Sequence, residues 1–187
     1  NLYRLTRAST TAASTTPYVR TYAYDKIGNI TNKSDQGGYG YYGDTGSLYE
    51  NPHAVSDIAS TTISYDRNGN MIHDGSKARI WNYRNQLTEA GGTASSTYGY
   101  DHTGQRVASK VGANASTTYA NKYYSTQGAT TTKHIFANGV LIATVEGTAA
   151  GTSTYSVHTD HLSGSSVVSN SAGNAVQVVD YYPFGAP

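Results

Sequence analysis

Three aspartates, Asp25, Asp66 and Asp101, each follow a tyrosine and lie three residues before a glycine. Carboxylates do acid–base or nucleophilic work when they converge on one constellation with distinct roles and shifted pKa values. These three recur instead in the same company. Tyr24-Asp25-Lys26-Ile27-Gly28-Asn29-Ile30 returns as Tyr65-Asp66-Arg67-Asn68-Gly69-Asn70-Met71 and, more loosely, as Tyr100-Asp101-His102-Thr103-Gly104-Gln105-Arg106-Val107. A residue repeated with the period of a fold serves the fold. The aspartates are therefore predicted to cap turns, and no catalytic residue is assigned.

A second constellation is His158-Thr159-Asp160-His161, where two imidazoles and a carboxylate form a donor set suited to zinc or a similar divalent ion. On a strand His158 and Asp160 would share a face while His161 pointed away, so no metal is assigned. Serine hydrolysis has no support, because no Gly-x-Ser-x-Gly elbow occurs and Gly164-Ser165-Ser166 has the wrong frame. Gly37-Gly38-Tyr39-Gly40 is followed by neither a helix nor a lysine, so no phosphate loop is read there, and no cofactor is expected.

The elements that hold these residues are read from composition and period. The 187 residues include 25 Thr, 20 Ser, 21 Ala, 20 Gly and 18 Tyr, against only three Glu and one Met. Helix formers are scarce and residues suited to a pleated surface abound, which predicts an all-β chain. Before each turn alternate residues are bulky, as in Tyr22 and Tyr24, Ile63 and Tyr65, and Tyr98 and Tyr100. That is the period of two that puts them on one face. The glycine four positions after each tyrosine supplies the positive φ of a type I turn with a bulge. The clear copies lie 41 and 35 residues apart, so two hairpins of about 20 residues fill each interval. Degenerate copies are expected at Tyr42-Gly43-Asp44-Thr45-Gly46 and Tyr83-Arg84-Asn85-Gln86-Leu87, and Leu2-Tyr3-Arg4-Leu5-Thr6 reads as the tail of another. Stretches of small residues at 9–16, 91–97 and 148–154 read as longer hairpin tips.

Net charge is +1, with basic residues scattered, so neither a nucleic-acid stripe nor a membrane-binding cluster is present. No span is apolar and long enough to cross a bilayer as a helix. There is no cysteine, so stability is expected to come from packing and hydrogen bonds.

At its repeated Tyr-Asp-x-x-Gly-Asn motif the chain resembles the Rhs/YD-repeat family, which includes bacterial Rhs toxins, the C component of Tc toxin complexes and the teneurins. His158-Thr159-Asp160-His161-Leu162, Gly164-Ser165, Gly173-Asn174 and Tyr181-Tyr182-Pro183-Phe184-Gly185 are similar to the Rhs repeat-associated core that ends the repeat array. Ser163 and Tyr182 depart from that pattern. The family's downstream Asp-Pro-x-Gly-Leu self-cleavage element is not found, so no self-cleavage is assigned to these residues.

The resemblance implies stacked hairpins in a curved, spiralling sheet, with repeats in 1–150 and a closing segment in 151–187. The implied role is a non-enzymatic wall, exported or on a bacterial surface, that encloses or presents a carboxy-terminal effector. Its expected partners are the remainder of a longer chain, or identical subunits joined through β-edges to form a shell or filament, together with toxin cargo. An adhesive module is the alternative, in which Trp81 and the tyrosines bind glycans or a cell-surface receptor.

Overall fold

The computed structural model describes residues 3–10, 17–41, 51–160 and 164–186. Every regular element among them is a strand. Among the described residues no helix is long and apolar enough to cross a membrane. The chain divides into two units, Asn1–Thr93 and Ala94–Pro187.

In the first unit β1 (Arg7–Ser9), β2 (Val19–Tyr24), β3 (Ile30–Lys33), β4 (Gly37–Gly40), β5 (Asp57–Ile58), β6 (Thr61–Tyr65) and β7 (Met71–Asp74) form a seven-stranded antiparallel sheet in chain order. An isolated bridge from His73 to Ala78 leads into the hairpin of β8 (Arg79–Trp81) and β9 (Leu87–Ala90). In the second unit β10 (Ser96–Tyr100), β11 (Arg106–Val111), β12 (Thr117–Asn121), β13 (Tyr124–Gln127), β14 (Thr130–Ala137), β15 (Val140–Thr148), β16 (Gly151–Thr159), β17 (Ser165–Asn170) and β18 (Ala175–Val178) also follow chain order. Within each sheet every strand pairs with the next, so successive turns fall on alternate ends of the strands.

The period of two decides which side chains are covered. On β2 Val19, Thr21 and Ala23 are exposed, while Tyr22 is buried and Arg20 and Tyr24 are partly covered. Burial is thin throughout. Among the described residues Tyr22 and Ile63 are the buried apolar side chains, and none is fully enclosed. Order therefore depends on ladder hydrogen bonds and cross-strand pairs more than on a packed interior.

The small-residue stretch 148–154 departs from expectation. Thr148 pairs with Gly151 across a two-residue turn, and Thr152, Ser153 and Thr154 lie in β16 opposite Gly147, Glu146 and Val145. Threonine and serine keep strand geometry well, and Gly151 (φ +132°) absorbs the reversal, so no long tip is needed. Ser96 and Thr97 likewise belong to β10.

Candidate functional site

The turns are fastened by one set of bonds. In the Asp25 turn Oδ1 accepts the N–H groups of Ile27, Gly28 and Asn29 at 3.0, 2.7 and 2.8 Å. Asn29 Nδ2 donates to Oδ2 at 3.0 Å, and the Asp25 N–H donates to the Asn29 carbonyl at 3.0 Å. In the Asp66 turn Oδ1 takes the N–H groups of Asn68 and Asn70, and Oδ2 takes Asn70 Nδ2, each at 2.9 Å. Asp101 Oδ1 takes Thr103 N, Gln105 N and the Thr103 hydroxyl at 2.8, 3.0 and 2.7 Å. The paired strands slip register at the aromatic residue, leaving Tyr24 opposite Ile30, Tyr65 opposite Met71 and Tyr100 opposite Arg106. The turn glycine is left-handed, as at Gly69 (φ +85°), with Gly28 and Gly104 alike.

These carboxylates titrate low. Desolvation works to raise Asp25 and Asp66, but the hydrogen bonds each receives from its own turn outweigh it. At Asp101 the Thr103 hydroxyl is the largest influence and lowers the value against desolvation. Each aspartate is a stabilised anion serving its own loop.

The frame of one degenerate copy is corrected by the coordinates. Tyr83 is 93% exposed and holds nothing in the turn. Trp81-Asn82 stands where Tyr-Asp was expected: Asn82 Oδ1 accepts the N–H groups of Arg84 and Gln86, and the Asn82 N–H donates to the Gln86 carbonyl. Asn82 Nδ2 donates to Gln86 Oε1 at 2.9 Å, so the clamp survives with donor and acceptor exchanged and no charge. Asn85 takes the glycine position at φ +58°, which asparagine tolerates better than other side chains. The copy expected at 42–46 lies outside the described residues.

The closing motif contains further copies that spacing alone did not reveal. Asn170 Oδ1 accepts from Ala172 and Asn174 at 3.0 Å each, and Gly173 N donates to the Asn170 carbonyl at 2.9 Å. Ser169-Asn170-Ser171-Ala172-Gly173-Asn174 thus repeats the motif with asparagine for aspartate and no aromatic residue. Asp160 lies in a turn, not on the strand, and its Oδ1 accepts Gly164 N at 2.8 Å. Tyr182 fills the cap position without a carboxylate, its N–H donating to the Ala186 carbonyl and its carbonyl accepting Gly185 N. Pro183 and Phe184 are the turn's central residues, Phe184 at φ +70° and 61% exposed, with Gly185 at φ +85°. Tyr181 reaches back to the Asp160 turn, where a Cβ on Gly164 would come within 3.2 Å of its ring. His158 Nε2 lies 3.1 Å from the Ser169 hydroxyl, and His161 is outside the described residues.

Two links join neighbouring turns of the first unit. Asn29 and Asn70, which clamp their own aspartates, also hand an amide hydrogen onward, to the Pro52 carbonyl at 2.8 Å and to Asn85 Oδ1 at 2.9 Å. The aromatic tips do the same: Tyr24 donates to the Leu5 carbonyl, Tyr41 to Ile30, Tyr65 to Val55 and Trp81 Nε1 to Met71, at 2.8, 3.0, 3.1 and 2.8 Å. Trp81 is half-buried with its polar edge committed, so the indole ties its own hairpin to the one before it.

The Teneurin YD-shell family model matches residues 4–187. The Tc holotoxin pore of Photorhabdus luminescens has a similar fold, with a TM-score of 0.63 and 18% identity over 91% of this chain and 10% of that one. TcdB2-TccC3 without its hypervariable C-terminal region gives 0.59 and 15%, with the same 91% and 10% coverage. This chain thus spans about a tenth of the length of those relatives, and identities so low bear on the fold alone. No curated protein sequence matches. Since the family match takes in every turn described above, this chain belongs to the Teneurin YD-shell family.

Proposed function

We propose that the chain is a non-enzymatic wall segment of an exported or surface-exposed Rhs/YD-type shell, which encloses or presents a carboxy-terminal effector. One observation carries this reading: Asp25, Asp66 and Asp101 each spend a carboxylate oxygen on their own turn, so the acidic groups fasten a wall instead of meeting at a reactive centre. In this reading residues 1–150 build the array and 151–187 close it. Toxin cargo is the partner it implies.

The same wall has an adhesive edge. β18 has a neighbour on one side only among the described residues, and it exposes Val176 and Val178. Unpaired strand groups beside apolar side chains invite another strand, from a longer polypeptide or from an identical copy.

Cryo-electron microscopy of the natural polypeptide that carries these repeats tests the reading. A hollow shell with internal density is the expected result, and a ring or fibre of copies would support wall-building through the edges. A monodisperse monomer with open sheets and an exposed effector would overturn it.

A further inference from the structure

The second unit contains a cavity of about 410 Å³ beside the Asp101 turn, lined by Asp101, Arg106, Tyr119, Asn121, Lys122 and His134 among others. Aromatic rings fix its cations. The Arg106 guanidinium carbon lies 5.6 Å from the Tyr98 ring centroid and 5.5 Å from that of Tyr119. Lys122 Nζ lies 4.8 Å from the Tyr123 centroid and 5.7 Å from that of Phe136. Such contacts position a cation without neutralising it. The ion pairs among the described residues are Arg20–Asp35 and Arg79–Asp74, so neither Arg106 nor Lys122 has an acidic partner there.

The lining also holds groups of the opposite kind. Asp101 commits Oδ1 to Thr103 and Gln105, which leaves Oδ2 to accept from a ligand hydroxyl. Asn121 commits Oδ1 to Tyr123 N at 2.8 Å, which leaves its amide hydrogens to donate. A bare small anion would satisfy the two cations but meet the charge of Asp101. A neutral sugar would satisfy Asp101 and Asn121 but leave the cations unpaired. A molecule with one carboxylate and several hydroxyls satisfies all four, and the volume suits one or two sugar rings.

We propose that this cavity binds a carboxylate-bearing saccharide, its carboxylate held by Arg106 and Lys122 and its hydroxyls by Asp101 and Asn121, with Tyr119 forming a wall. The site is separate from Trp81 and independent of the wall role. It gives the second unit a preference for acidic glycans.

The test is calorimetric titration of the full chain with methyl β-glucuronide, methyl β-glucoside and sodium acetate in parallel, repeated with Arg106→Gln and Lys122→Gln. Glucuronide affinity is expected on the order of millimolar, about tenfold tighter than glucoside or acetate. Each variant is expected to lose about tenfold, the effect of one charge-assisted hydrogen bond. Lys122 is exposed, so its variant folds even if Arg106→Gln disturbs the Tyr98–Tyr119 stack. Glucuronide binding no tighter than acetate, equal binding of the glucoside, undiminished affinity in Lys122→Gln, or no glucuronide binding overturns the proposal.

Discussion

Trp81 Nε1 donates to the Met71 carbonyl at 2.8 Å, and Tyr41 Oη donates to the Ile30 carbonyl at 3.0 Å. Met71 and Ile30 are equivalent: each opens the strand that returns from an aspartate-capped turn. An indole and a phenol therefore perform one task, tying a hairpin to its predecessor with a bond that neither ladder supplies.

This pair predicts that Trp81→Phe, which keeps a ring and removes the donor, costs about 1 kcal/mol, while Trp81→Tyr costs less because it restores a hydroxyl. Urea unfolding of the three proteins checks it. Equal midpoints for the phenylalanine and tyrosine variants would mean that the ring alone matters.

Asp66 separates the two halves of the turn clamp. Asp66→Ala removes every side-chain acceptor and is expected to cost about 1 kcal/mol, as a lost cap does elsewhere. Asp66→Asn keeps Oδ1 for the backbone but sets its amide against Asn70 Nδ2, so Asn70 must rotate and release Asn85. About 0.5 kcal/mol is expected for that change. The order wild type, Asn, Ala in thermal melts is the outcome that supports the clamp, and an alanine variant as stable as the wild type rejects it.

How far the sequence reveals this arrangement depends on the kind of signal. The all-β architecture, the turns at Asp25, Asp66 and Asp101 and the alternation that sets Tyr22 with Tyr24 and Ile63 with Tyr65 follow from local chemistry, since aspartate, glycine and alternating bulk carry their own geometry. The sequence pattern frames the Trp81-Asn82 turn two residues late because Tyr83 imitates the motif's tyrosine, whereas the structure needs an aromatic donor and an Oδ1 acceptor, not those letters. Asn170 was hidden for the same reason, having no aromatic residue before it. The Arg106–Lys122 cavity could not be read from spacing, because it depends on the register that sets β11 beside β12, and no local pattern fixes that pairing.

Gly40 answers to space and not to backbone freedom. It pairs with Asp57, and a Cβ placed on it would overlap the Asp57 carboxylate, whose Oδ2 is buried with no hydrogen-bond partner among the described residues. Gly40→Ala is expected to cost about 1–3 kcal/mol through overpacking. Asp57→Ala should recover most of that cost in the double variant. Urea unfolding of the four proteins gives the coupling directly, and additive costs would show that the carboxylate simply swings clear.

The lowered carboxyls give acid sensitivity a definite sign. Asp25, Asp66 and Asp101 are held below the ordinary value of 3.8 in the folded chain, so on folding they favour the deprotonated form. Their contribution is complete above the unfolded-state value, near 4, and is lost as pH falls through the folded values beneath it. The melting temperature should therefore change little on their account from neutral pH down to about 4 and fall steeply below that. Replacing all three aspartates with asparagine should lower stability at pH 7 and flatten the acid limb, because the neutral clamp at Asn82 has no proton to gain. Thermal melts from pH 7 to pH 3 compare the two proteins. An acid limb as steep in the triple variant as in the wild type would place the sensitivity in carboxylates outside these turns.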